Sequence, residues 1–234
     1  MIVLGIDTST PIASVAIVEP GRVLAETTST RTAATAHGAD LLGMIDAVCV
    51  GAAIGAHDLD AVAIGAGPGS FTGLRIGMAT AKGIAFAASI PLWAVSSLAA
   101  LAHAELDGDP HGVVVAVLDA RRGEVYAGAY RRDGDRTVAI GAERVLPPAE
   151  LAAFAAAATP EAARYAGDAL AAYPGVLGAL PGVWDRTPSG AAVAQLALVG
   201  ARADVLVTST PTYIRPSEAE IKYPDGVPGA LRKR

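Results

Sequence analysis

Met1-Ile2-Val3-Leu4-Gly5-Ile6-Asp7-Thr8-Ser9-Thr10 opens the chain. Ile2 to Ile6 is an apolar run of strand length, and Asp-Thr-Ser-Thr ends it with turn-forming side chains. A matching run, Val113 to Leu118, ends in Asp119. Outward from the first run, Ala13 to Val18 alternates as a second strand, and after the Pro20-Gly21 turn Arg22 to Thr28 makes a third. A helix is predicted from about Ala36 to Ala52, with Leu41, Leu42, Ile45, Val48 and Cys49 on one stripe. Leu59 to Ile64 is a buried strand, followed by a glycine-rich loop and a helix over Thr72 to Ala88. The second run is followed by alternating strands at Glu124 to Arg131 and Thr137 to Val145. A helix from Pro147-Pro148 through Ala158, a short strand at Ala163 to Ala166 and a helix over Ser189 to Ala203 complete that half. The order β-β-β-α-β-α is read twice without a residue-level repeat. It predicts an α/β fold of two mixed-sheet lobes with a cleft between them, residues 1–105 and 106–216, and a mobile tail, 217–234.

Composition sets limits on function. The 234 residues include 52 alanines and 26 glycines, and aromatics are only 5%. The core is therefore built from Val, Leu, Ile and Ala in closely packed elements. The single cysteine, Cys49, excludes a disulfide framework and reads as a small buried hydrophobe on a helix. A net charge of −5 and a pI near 5.3 argue against a stand-alone nucleic-acid binder. Any contact with nucleic acid is expected within an assembly, and the basic run Arg232-Lys233-Arg234 reads as a solvated end. The N-terminus lacks the basic region and cleavage pattern of a signal peptide. Ile84 to Ala104 carries no formal charge, but Pro91 divides it. It reads as a helix end, a strand at Leu92 to Val95 and a new helix capped by Ser96 or Ser97 rather than a membrane span. A cytoplasmic location is expected.

Gly67-Pro68-Gly69-Ser70-Phe71-Thr72-Gly73-Leu74-Arg75-Ile76-Gly77 invites comparison with phosphate loops, because a helix N-terminus favours an anion. It does not fit the dinucleotide fingerprint, the P-loop or the nucleophile elbow. From spacing alone, a rigid loop with Ser70 or Thr72 capping the helix fits better. Behind it Gly73, Gly77, Ala81 and Ala85 recur every four residues, with Gly83 and Ala87 alongside. Interior helical glycines each cost about 1 kcal/mol against alanine, which points to close backbone approach. The approaching element is either the parent sheet or a helix of a second chain. Asp7, Thr8 and Ser9 could meet a phosphate or hydrated metal at the strand end, or close an Asx turn. Asp119 to Glu124 is their counterpart or a charged hairpin turn. His37, His57, His103 and His111 have no partner at metal-ligand spacing.

GPGSFTGLRIG, the opening GIDTST, His37 before a Leu-Leu helix, LDARRGEVYAGAY and the late PTYIRP together resemble the TsaB (YeaZ) family of bacterial tRNA threonylcarbamoyladenosine biosynthesis proteins. The resemblance spans nearly the whole chain and is densest over residues 65–83. It implies the actin/Hsp70/sugar-kinase fold with two ribonuclease-H-like lobes. It also implies a non-catalytic scaffold for the catalytic paralogue TsaD. With the ATPase TsaE, TsaD transfers threonylcarbamoyl to N6 of the tRNA adenosine 3′ to the anticodon. TsaD holds a metal with an HxxxH motif that this sequence lacks, so no catalytic or metal residue is assigned here. The family's first phosphate loop falls on Asp7, Thr8 and Ser9, with Asp119 as counterpart, carried over as a remnant nucleotide site. No cofactor is assigned to the chain, and ATP with magnesium is left as a weak ligand or one of the complex interface. Ala166-Gly167-Asp168 matches the adenosine-side glycine pair poorly. The resemblance makes the first-lobe helices a surface shared by the homodimer of the isolated chain and the TsaD complex, through His37, Leu41, Ile45, Val48, Gly73, Gly77, Thr80, Ala81 and Ile84. Transfer RNA is expected only within the complex. The competing readings are a stand-alone ATP-using enzyme relying on Asp7 or Asp119, and a metallopeptidase, for which the histidine pair is missing.

Overall fold

Strand β1 (Val3–Asp7) is buried along its whole length, because it pairs on both sides and is covered on both faces. The computed structural model describes residues 1–29, 37–107, 109, 111–160, 163–200 and 204–214, with the side chains of 37–40 left out. β1 is followed by β2 (Ser14–Glu19), β3 (Arg22–Thr28), helix α1 (His37–Gly51), β4 (Ala61–Gly65), α2 (Phe71–Ala88), β5 (Leu92–Val95) and α3 (Ser97–Glu105). The first three strands form an antiparallel meander, β4 and β5 add in parallel, and the sheet order is β3-β2-β1-β4-β5.

The second half runs β6 (Val113–Arg121), β7 (Glu124–Asp133), β8 (Arg136–Ala139), β9 (Arg144–Leu146), α4 (Leu151–Ala158), β10 (Arg164–Gly167), a single turn α5 (Pro174–Leu177), β11 (Gly182–Trp184) and α6 (Gly190–Val199). Its sheet order is β11-β10-β6-β7-β8, the first sheet's order read from the other end. The doubled mixed-sheet α/β architecture expected from the sequence is therefore present; beyond the six-element pattern the first half has one more strand and one more helix, and the second half two more strands and one more helix. The expected strand Thr137 to Val145 is two strands. Gly141, at φ +84°, turns the chain out between β8 and β9, and both pair with β7. β11 was not expected, since three residues between Pro181 and Asp185 are too few to show a period. The tail from residue 215 and the end of the last predicted helix at 201–203 lie outside the described residues.

Five layers result. α1 and α2 cover one face of the first sheet through Leu41, Met44, Ile45, Val48, Met78, Ala81 and Ala85. α6, although it follows the second half, lies on the other face against Val3, Ala16, Val18, Ala61 and Ala63. α3 follows the first half and packs on the second sheet, through Leu98, Leu101 and Ala102 against Val114, Ala116 and Leu118. Thus α3 and α6 share a central layer between the sheets, and α4 and α5 close the far side. Serines start the helices: the side chains of Ser70, Ser96 and Ser189 accept from the backbone N–H groups of Gly73, Ala99 and Ala192. No helix among the described residues is long and apolar enough to cross a membrane.

Candidate functional site

Asp7 ends β1 with its side chain wholly inside the protein. One carboxylate oxygen accepts from the Ser9 N–H (2.8 Å) and the Ser9 hydroxyl (2.6 Å), and the other from the Ser97 hydroxyl (2.7 Å). The first of these bonds closes an Asx turn. Burial pushes the Asp7 carboxyl above its ordinary pKa, against the opposing pull of the serine donors. Thr8 and Ser9 are buried with it.

The glycine-rich loop is shaped around this turn. The Ser70 N–H donates to the Ser9 carbonyl at 2.6 Å. A Cβ on Gly65 would stand 1.9 Å from an Asp7 oxygen, and one on Gly69 2.3 Å from the Ser9 carbonyl. A Cβ on Gly73 would stand 2.1 Å from the Thr8 carbonyl, and one on Gly77 2.2 Å from the Thr8 hydroxyl. The Thr8 hydroxyl in turn donates to the Gly73 carbonyl at 2.8 Å. The four glycines let a loop and a helix close on a buried polar turn whose donors and acceptors are already paired. The arrangement can hold a strand end rigidly, and it presents no exposed carboxylate to a ligand.

Asp119 sits at the equivalent place on β6 and repeats the turn, accepting from the Arg121 N–H at 2.8 Å. It also pairs with the Arg121 guanidinium (3.2 Å) and accepts from the Tyr173 hydroxyl (3.1 Å), while its own N–H donates to Asp168 (2.9 Å). Asp168, half-buried, is held above its ordinary pKa chiefly by desolvation. These Asp7 bonds, to Ser9 and Ser97, stay within the first half of the chain, and the Asp119 bonds stay within the second. These bonds do not join the two aspartates.

The helix strip has a direction that sequence spacing left open. Gly73 and Gly77 face Thr8, and Ala81 and Ala85 are buried in the core beneath α2. Leu41, Ile45 and Val48 are buried in the same core. Of these seven, all but Ala85 were expected to supply a surface for a second chain, and their burial corrects that expectation: the small residues admit the parent sheet. Thr80 and Ile84 are half-buried, and the side chain of His37, the first residue of α1, lies outside the described residues. The outward side of the two helices carries other residues. Leu42 is 62% exposed, Val50 72% and Phe86 77%. Exposed Gly83 lies on the same helix as Phe86, and among the described residues nothing comes within 4 Å of where its Cβ would be. Phe86 was legible in principle: nine residues from Gly77 at about 100° per residue is half a turn away.

A family model described as TsaD, tRNA N6-adenosine threonylcarbamoyltransferase, matches residues 22–223. The solved structure of YeaZ from Pseudomonas aeruginosa superposes with a TM-score of 0.76 at 31% identity, covering 91% of this chain and 99% of that one. The chain belongs to the TsaB (YeaZ) family. The TsaB of Haemophilus influenzae is 39% identical over 134 residues, 57% of this chain and 56% of that protein. The TsaB of Escherichia coli is 36% identical over 146 residues, 60% and 62% of the respective lengths. The chain thus spans little more than half the length of these TsaB relatives. The long glycine motif that suggested the family is the loop and helix start closed over Asp7, Thr8 and Ser9.

Proposed function

We propose that the protein is the non-catalytic partner subunit of a TsaD-type transferase. With a TsaE-type ATPase, the pair would transfer threonylcarbamoyl to N6 of the tRNA adenosine 3′ to the anticodon. The observation that carries this reading is the outward face of α1 and α2. Leu42, Val50 and Phe86 are exposed apolar side chains on helices that otherwise pack well, and Gly83 is a helical glycine with no described neighbour to require it. Such a face suits another helix at close range. The buried, internally paired turn at Asp7 supports a scaffold over a catalyst, as does the absence of an HxxxH pair from this sequence. The names of the TsaB relatives support the pathway.

The interface would use Thr80, Gly83, Ile84, Phe86 and Ala87 of α2 with Leu42 and Val50 of α1, and would bury at least ~1,200 Å² in total. The same face would form the homodimer of the isolated chain. Light scattering after size exclusion, on the chain alone and mixed with its TsaD-type paralogue, tests this. A one-to-one complex is expected in place of any homodimer. Gly83→Trp should abolish it while leaving the circular dichroism spectrum unchanged. A chain that ignores the paralogue, or that alone binds and hydrolyses ATP with magnesium, would overturn the reading.

A further inference from the structure

Phe71, Arg75 and Tyr213 form a cluster on the surface beside the glycine loop. The Arg75 guanidinium lies over the Phe71 ring, 3.8 Å from its centroid, and its Nε donates to the Tyr213 hydroxyl at 3.1 Å. The rings of Phe71 and Tyr213 are 5.2 Å apart and tilted by 34°. The backbone fixes both ends. Phe71 is the first residue of α2, and the Thr212 N–H next to Tyr213 donates to the Ala66 carbonyl at 2.6 Å.

Two properties separate this cluster from ordinary packing. Both rings stay 41% exposed, although each is held in place. Arg75 has no carboxylate partner among the described residues, whereas Arg22, Arg121, Arg164 and Arg186 pair with Glu19, Asp119, Asp109 and Glu105. Among the described residues only its Nε is engaged, so an exposed guanidinium, stacked on a ring, keeps both terminal nitrogens for a ligand. A flat cation stacked on an aromatic ring offers a plane to a base and a fork to a phosphate.

We propose that Phe71, Arg75 and Tyr213 form a docking platform for unpaired nucleotides of a folded RNA, a base stacking on the exposed rings and a phosphate taken by Arg75. The platform is open rather than enclosed, and it brings one cation. A free mononucleotide would find neither walls nor enough charge there. An RNA loop held elsewhere by the assembly would need only such a local contact, which agrees with a chain of net charge −5. The inference rests on the reading of the protein as a subunit of a tRNA-modifying complex, and it names the surface this subunit gives to the RNA.

The test is fluorescence anisotropy of a labelled RNA stem-loop titrated with the complex of this chain and its TsaD-type paralogue, and with the chain alone. Phe71→Leu and Arg75→Ala should each weaken binding by about tenfold, the scale of one lost base stack. Arg75→Lys should recover only part, and Arg75→Ala should lower the salt slope by about one. Light scattering should show pairing unchanged in all three variants. Unchanged RNA affinity in both Phe71→Leu and Arg75→Ala, or no RNA binding by either preparation, would overturn the platform. So would loss of pairing in these variants, which would make the cluster a protein interface, or competition by adenosine monophosphate as tight as by the stem-loop, which would make it a mononucleotide site. A wild-type chain that forms no complex defeats the subunit reading instead, and the titration of the chain alone then still decides the platform.

Discussion

Asp7 was open in the sequence between a ligand site and a closed Asx turn, and its hydrogen bonds are those of the turn. Its place at the end of β1, repeated by Asp119 on β6, was legible in the sequence. Which partners fill its oxygens was not, because Ser97 lies ninety positions away and only the fold brings it near. Burial raises the folded-state pKa of Asp7, so the folded protein holds this proton to higher pH than the unfolded chain does. The associated stability is fully present below the ordinary value of 3.8 and is lost as pH rises through the folded value. Asp7→Asn cannot titrate. Urea unfolding at a series of pH values should therefore show the wild type losing stability relative to Asp7→Asn as pH rises. Parallel curves would mean that Asp7 titrates alike in both states. The glycines around it make an independent prediction. Gly73→Ala places a methyl 2.1 Å from the Thr8 carbonyl, which belongs to backbone and cannot swing aside. It should cost about 3 kcal/mol, the upper end of overpacking, read as a lowered urea midpoint.

At the scale of the element, α2 has two faces that use small residues for different ends. The strip from Gly73 to Ala85 packs on β1 and β4, and this much follows from a four-residue spacing that marks close approach without saying to what. Gly83 faces away. Alanine there meets nothing within 4 Å among the described residues, and the helix gains by losing an interior glycine. Gly83→Ala should raise the stability of the isolated chain by about 0.5–1 kcal/mol. If the outward face is the pairing surface, the same methyl should weaken the complex with the TsaD-type paralogue. Opposite signs in a thermal melt of the chain and a titration of the complex are the expected pair of results. Gain in both would remove Gly83 from the interface. Gly77 and Ala81 cannot serve as such probes, since large side chains there would enter the core beneath α2.

Across the whole molecule, the sequence showed two similar halves but not that they exchange helices. Nothing local marks α6 for the first sheet: apart from Gly190 and Gln195 it is alanine, leucine and valine, which would suit either one. The contact explains the composition. A Cβ on Gly5 would stand 2.0 Å from the Gly190 carbonyl, and Ala191, Ala192, Ala194 and Ala197 are buried between the sheets. Large side chains would force the central layer apart, so an alanine-rich chain is what a shared helical layer requires. The exchange also binds the stability of each half to the other, because opening either sheet bares a helix belonging to its neighbour. Unfolding should therefore be a single cooperative transition. The chain's two tryptophans report on different sheets: Trp93 is buried on β5 beside α6, and Trp184 lies on β11, 6.3 Å from the Tyr165 ring. In Trp184→Phe the fluorescence follows the first sheet alone, and in Trp93→Phe the second. Within each variant, the fluorescence and circular dichroism midpoints in urea should coincide, whatever the substitution does to overall stability. A fluorescence transition separated from that of the backbone would show that one sheet opens while the other holds, and the central layer would not couple them.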